Sequence, residues 1–151
     1  MSLFRTNLGW VAIPARLALG IIFLAHGSQK LFGLFDGPGI GGTADLFADI
    51  GIQPAMLWAS VVAITEFLAG AGVLVGLLAR PAGLGIAAVM VGAIATVHGT
   101  NGFFAATQGY EYNIALLGLS LCLLIGGAGA LSIDGVIARE RPEPEASPPP
   151  A

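Results

Sequence analysis

One stretch dictates the solvent in which this chain folds: RLALGIIFLAHGSQK, from Arg16 to Lys30. Residues 17–25 are apolar and uncharged; Arg16 precedes them, and His26 and Lys30 follow, four positions apart, which is about one helical turn. A soluble core helix would carry its charges along one flank. Charges at the ends of an apolar span, with a histidine inside it, fit a helix that crosses a membrane. An ionisable side chain held in lipid is costly, so its presence marks a candidate functional site.

The rest of the chain requires the same solvent. Of 151 residues, 56% are apolar and only 10% are charged, with mean hydropathy +0.86. So few charges cannot cover a globular surface with solvated groups, whereas lipid needs none. Glycine is abundant, with 23 residues, as is usual where membrane helices pack closely. The net charge is −3 and no basic run points to nucleic acid. Cys122 is the sole cysteine, which excludes thiol–disulfide chemistry within one chain. No short apolar core followed by small residues marks the N-terminus, so no removed signal peptide is expected.

Read in order, the pattern predicts an all-α bundle of four transmembrane spans, at about residues 11–35, 54–78, 82–98 and 112–131, within a domain of residues 1–135. Arg5 and Trp10 suit the headgroup region before the first span. Pro14 falls in that span's first turn, where a missing N–H costs little. The first loop, residues 36–53, is broken by Gly37, Pro38, Gly39, Gly41 and Gly42; within it Thr43 is expected to cap a short amphipathic turn bearing Leu46, Phe47 and Ile50. Ala79, Arg80 and Pro81 form a tight turn, making spans two and three antiparallel neighbours. A second loop, GTNGFFAATQGYE, follows His98, with Phe103 and Phe104 suited to the interface. Residues 136–151 end in RERPEPEASPPPA, an acidic proline-rich tail expected to be disordered. Gly72–Gly76 and Ala88–Gly92 have the small-xxx-small spacing of close helix contacts.

The basic residues give an orientation. Arg5, Arg16, Arg80, Arg139 and Arg141 fall on one side of the four spans; Asp36, Asp45, Asp49 and Glu111 fall on the other, with Lys30 nearby. The positive-inside rule puts both termini and Arg80 in the cytoplasm.

Depth then gathers the polar groups. Glu66 lies about 18 Å in from the start of the second span, counted at roughly 1.5 Å per residue. His26, Lys30, Glu66, His98 and Glu111 can converge in the outer half of the bundle, with Gln29, Tyr110, Tyr112 and Asn113 nearby. Polar groups in lipid turn inward and pair, so Glu66 is expected to face His26 or Lys30. Structural readings stand beside the functional one. Glu66 would then only hold the bundle in register, Lys30 would snorkel to the headgroups, His98 would be an interfacial residue, and Arg16 and Arg80 would be cytoplasmic anchors.

A quinone-like redox lipid needs an apolar slot with a histidine or carboxylate to bond its carbonyls and move protons. The cluster offers both. No HxxH or HExxH spacing is present, so no metal site is assigned, and two histidines are the bare minimum for a haem. A transporter would need an oligomer to form a path, because four spans make a narrow bundle.

RLALGIIFLAHGSQKLFG, EFLAGAGVLVGLLARPAG, HGTNGFF followed by GYEYN, and GGAGALSIDG resemble, in that order, the DoxX family over about residues 14–135. The resemblance implies a small four-helix protein of the bacterial plasma membrane. It also implies kinship with the membrane subunit of a thiosulfate:quinone oxidoreductase, and with a membrane partner of an oxidoreductase complex that handles oxidative and thiol stress. His26, Lys30, Glu66, Arg80, His98 and Glu111 match positions where the family carries polar residues. The expected function is that of a redox-system subunit binding a quinone-like lipid at His26, Lys30, Glu66, His98 and Glu111. The rival expectation is a non-catalytic scaffold that recruits a soluble or membrane oxidoreductase partner; self-association into a homo-oligomer is a separate expectation.

Overall fold

The computed structural model describes residues 8–139, and no strand occurs among them. Four helices make the bundle: α1 (Leu8–Phe32), α3 (Ala55–Val75), α4 (Ala79–Ala93) and α5 (Glu111–Gly126). The shorter α2 (Gly39–Asp49) follows α1, and α6 (Ile133–Arg139) follows α5. α1 packs on α3, α3 on α4, α4 on α5, and α5 returns to α1, while α2 rests on α3 and α1. Two turns link helices at one end of the bundle, which also carries the start of α1 and all of α6. The opposite, loop end holds α2 and residues 99–110.

α1, α3 and the α4 segment through Asn101 are each long and apolar enough to cross a membrane. α5, with 16 residues, is about 24 Å long, short of the roughly 30 Å hydrocarbon layer. Leu19, Phe23, Val73, Ile86 and Leu123 fill the core, while Ile21, Leu57, Leu68, Leu84, Val91 and Ile125 face outward. An apolar outer surface of this extent suits lipid, not water. The protein is a membrane protein embedded in the bilayer.

The α1–α3 contact is the tightest because its backbones touch. A methyl group added at Gly70 would lie 2.8 Å from the Phe23 carbonyl carbon, and one at Gly27 would lie 2.6 Å from Phe67 Cα. The two small-xxx-small pairs predicted for helix contact differ from each other: a methyl at Gly92 meets nothing within 4 Å, whereas one at Gly76 would lie 2.7 Å from the Arg16 guanidinium carbon. Spacing alone marks small residues without saying which face of the helix they occupy.

The predicted boundaries shift for local reasons. α1 ends at Phe32, three residues early, where Gly33 takes φ +70°. The first loop contains a full helix, not one turn, and it starts four residues before Thr43. Thr43 therefore does not cap; its hydroxyl donates back to the Gly39 carbonyl at 2.7 Å and is buried. Ala79, Arg80 and Pro81 are the first turn of α4, and the reversal itself uses Gly76 (φ +71°) and Leu78 (φ +52°). The third span continues from α4 through a π turn, Ile94–His98. The fourth span stops at Gly126, five residues early, because Gly127 and Gly129 both take positive φ.

That unwound end corrects the expectation for Arg16. Its side chain is not a headgroup anchor: Arg16 is only 5% exposed. Nε donates to Val73 O at 3.1 Å and Nη2 to Leu74 O at 3.1 Å, both at the end of α3. Nη1 donates to the carbonyls of Ala128, Ala130 and Leu131 at 3.0–3.2 Å. Irregular backbone at membrane depth persists only where its polar groups find partners inside the protein, and one guanidinium fork supplies them here. Arg80, by contrast, is exposed at the same end.

The domain also runs past its predicted limit. Asp134 Oδ1 and Oδ2 accept from the N–H groups of Leu78 and Ala79 at 2.8 and 3.0 Å, so the start of α6 caps the start of α4. Residues 136–139, assigned to the disordered tail, belong to α6. The remainder of that tail, with Arg141, and also Arg5, lie outside the described residues.

Candidate functional site

A cavity of about 410 Å³ opens among α1, α4, α5 and the 99–110 loop. α1 brings Ile22, Phe23, His26 and Lys30 to it, and α3 brings Glu66. Met90 and Ala93 come from α4 and His98 from its π turn; Gln108 and Gly109 come from the loop, and Tyr112, Asn113 and Leu116 from α5. Four of the five predicted ligand residues thus share one cavity: His26, Lys30, Glu66 and His98.

α1 positions two of them by its period. His26 and Lys30 are four residues apart on one face, and His26 lies about 9 Å inside the end of α1 at Phe32, counting 1.5 Å per residue. His26 lines the cavity and is exposed, and no protein hydrogen bond engages its ring among the described residues. Lys30 Nζ donates to Glu66 Oε1 at 2.6 Å and also bonds Oε2. Glu66 is 3% exposed. A carboxylate in lipid requires a partner, and Lys30 supplies it with two of its three N–H groups. The expected partner choice, His26 or Lys30, resolves to Lys30.

His98 is oriented by the loop. Its Nδ1 lies 2.7 Å from the Gln108 carbonyl. A carbonyl only accepts, so Nδ1 carries the proton, and in the neutral ring Nε2 is left as an acceptor. Asn101 Nδ2 donates to the Val97 carbonyl at 3.3 Å and to the same Gln108 carbonyl at 3.4 Å. These bonds tie the loop over the cavity.

Glu111 does not line the cavity. Its Oε1 accepts from the Ala105 N–H at 2.6 Å, so it organises the loop and touches no ligand space. The predicted position at the mouth was right in sequence but wrong in direction.

Asn113 is the residue that sequence reasoning left beside the site and not in it. It is 5% exposed, lines the cavity, and donates through Nδ2 to Met90 Sδ at 3.6 Å. The signal was available: Asn113, Leu116, Ser120 and Leu123 form the buried stripe of α5. A polar residue heading an otherwise buried stripe is placed for contact with something polar. No group of three His, Cys, Asp or Glu side chains suited to a metal ion occurs among the described residues.

The comparisons with known proteins agree with this architecture. The DoxX family model matches residues 11–99, and the chain belongs to the DoxX family. It is 33% identical over 119 residues to the Bacillus subtilis (strain 168) protein named "Putative oxidoreductase CatD", covering 79% of this chain and 81% of the relative. It is 32% identical over 133 residues to the "Uncharacterized membrane protein Rv3486" of Mycobacterium tuberculosis (strain ATCC 25618 / H37Rv), covering 81% of this chain and 78% of that one. No solved structure gives a significant match.

Proposed function

We propose that this protein is the membrane subunit of a redox system in the bacterial plasma membrane, and that the cavity takes the head of a quinone-like lipid. The observation that carries the reading is the lining itself. Ile22, Phe23, Ala93 and Leu116 offer an apolar slot, and two imidazoles with unengaged nitrogens stand in it. Such a slot binds a flat apolar ring and fixes its oxygens by a few hydrogen bonds. The name of the Bacillus relative supports redox chemistry. Arg80 and Arg139 lie at the end opposite the acidic loops, which supports a cavity facing outward with both termini in the cytoplasm.

The residue roles differ from a simple proton relay through Glu66. Its carboxylate is held by Lys30, so His26 and His98 are the groups free to bond and exchange protons with a ligand. That engaged ion pair also favours the second reading, a non-catalytic scaffold that recruits an oxidoreductase partner and uses the pair for rigidity alone.

Titration of a short-tailed benzoquinone into the purified full chain separates the two. Saturable binding that weakens by about fivefold in His26→Leu, the loss of roughly one hydrogen bond, supports the quinone reading. His26 has no hydrogen-bond partner to lose among the described residues, so the fold is expected to survive. Absence of saturable binding to the parent chain overturns the quinone reading in favour of the scaffold.

A further inference from the structure

The cavity has two chemically unlike walls. On the α1–α3 side, Lys30 has two N–H groups committed to Glu66 and one remaining. That wall donates. On the α4–α5 side two groups offer acceptors. A thioether has no proton to give, so the Asn113 amide presents one Nδ2–H to Met90 Sδ and keeps its second N–H as well as the acceptor Oδ1. Every fully enclosed side-chain nitrogen or oxygen among the described residues has a partner. Asn113 Oδ1 has none, so it keeps contact with the cavity that Asn113 lines. His98 adds a second acceptor at Nε2, because Nδ1 is committed to the Gln108 carbonyl.

A carbonyl oxygen is satisfied by Lys30 or by the second Asn113 N–H, but not by His98 Nε2. Against His98 Nε2 it sets lone pair to lone pair and leaves that acceptor unpaired. A hydroxyl satisfies both walls, since its oxygen accepts from Lys30 and its proton goes to an acceptor. A ring with a hydroxyl at each end pairs with all of these groups; the same ring with two carbonyls leaves His98 Nε2 without a donor and binds less tightly.

We propose that the cavity selects the reduced, hydroxyl-bearing form of its quinone-like ligand, with His98 as the acceptor that senses the hydroxyl proton. This selectivity rests on the quinone reading above. It makes the site a quinol-holding site: the two-electron oxidised ring binds as the weaker partner. A bound couple with this bias has its midpoint potential raised by about 30 mV for each tenfold difference in affinity between the two forms. His26, whose ring nitrogens bond nothing among the described residues, suits either form and gives no bias.

The test measures dissociation constants of the purified full chain for three probes under anaerobic conditions: a short-tailed 1,4-benzoquinone, its hydroquinone, and the dimethyl ether of that hydroquinone. The hydroquinone is expected to bind about tenfold tighter than the quinone, the difference made by one or two hydrogen bonds to otherwise unpaired acceptors. The dimethyl ether, with the ring but no proton to donate, is expected to bind no tighter than the quinone. His98→Phe is expected to shrink the ratio of quinone to hydroquinone dissociation constants about threefold, whereas Asn113→Leu, which removes a donor and an acceptor together, is expected to weaken both forms alike. Equal affinities of hydroquinone and quinone, or tighter quinone binding, overturn the selectivity and leave the quinone reading standing. Failure of all three probes to bind overturns both.

Discussion

Lys30 and Glu66, 36 residues apart in sequence, are joined across α1 and α3 by an ammonium that reaches both carboxylate oxygens. Glu66 is buried and Lys30 partly so. Removing one member strands the other in a low-dielectric interior. Glu66→Gln is expected to destabilise the bundle by about 3 kcal/mol, read as thermal unfolding in detergent. The double variant Lys30→Met with Glu66→Leu is expected to recover most of that loss, because an apolar pair of similar size fits the site without a desolvated charge. A single variant no worse than the double would show that the pair carries little of the stability.

Arg16 gives a second prediction. Its guanidinium serves five carbonyls from two segments, and an ammonium with three donors cannot match that fork. Arg16→Lys is expected to cost about 2 kcal/mol, and Arg16→Met about 3 kcal/mol or more, as buried acceptors lose their partners. Limited proteolysis provides a local readout. Cleavage within residues 127–139 should rise in both variants, whereas cleavage in the 99–110 loop should not change.

The glycines divide by contact. Gly70→Val places a side chain against the Phe23–Leu24 backbone, and overpacking of this kind costs about 1–3 kcal/mol, or more where backbone must move. Gly92→Ala meets nothing within 4 Å and is expected to stabilise α4 slightly, by up to about 1 kcal/mol, through helix propensity. Thermal melts of the two variants side by side check the prediction; equal effects would contradict the α1–α3 close approach.

Asp134 is expected to behave as a helix cap. Asp134→Ala should cost about 1 kcal/mol and Asp134→Asn less, since the amide oxygen still accepts one of the two N–H bonds. Backbone hydrogen exchange at Leu78 and Ala79 provides the direct measurement, with faster exchange expected in Asp134→Ala.

Much of this was legible in the chain. Apolar length against scarce charge announced membrane helices, and the depth of His26, Lys30 and Glu66 brought them to one level before any coordinates. What remained hidden depends on direction. Arg16 looks like an anchor by hydropathy, because nothing local shows that the GGAGA stretch 110 residues later unwinds and needs its donors. Glu111 neighbours the cavity in sequence, yet its carboxylate turns to the Ala105 N–H. Asn113 reads as an ordinary first-turn polar residue until the buried face of α5 is known. Hydropathy fixes depth; the azimuth of each side chain comes from packing, which a single sequence does not encode locally.

The guanidinium of Arg16 also imposes an order of assembly. It enters the bilayer with the first span, but three of its five acceptors, the carbonyls of Ala128, Ala130 and Leu131, follow it by more than 110 residues. Until they arrive, a nascent chain carries a positive charge that is only partly quenched, and a chain cut short after α5 never completes the set. Integrity of the C-terminal segment is thereby registered near the beginning of the polypeptide, where an incomplete product would be vulnerable to membrane quality control.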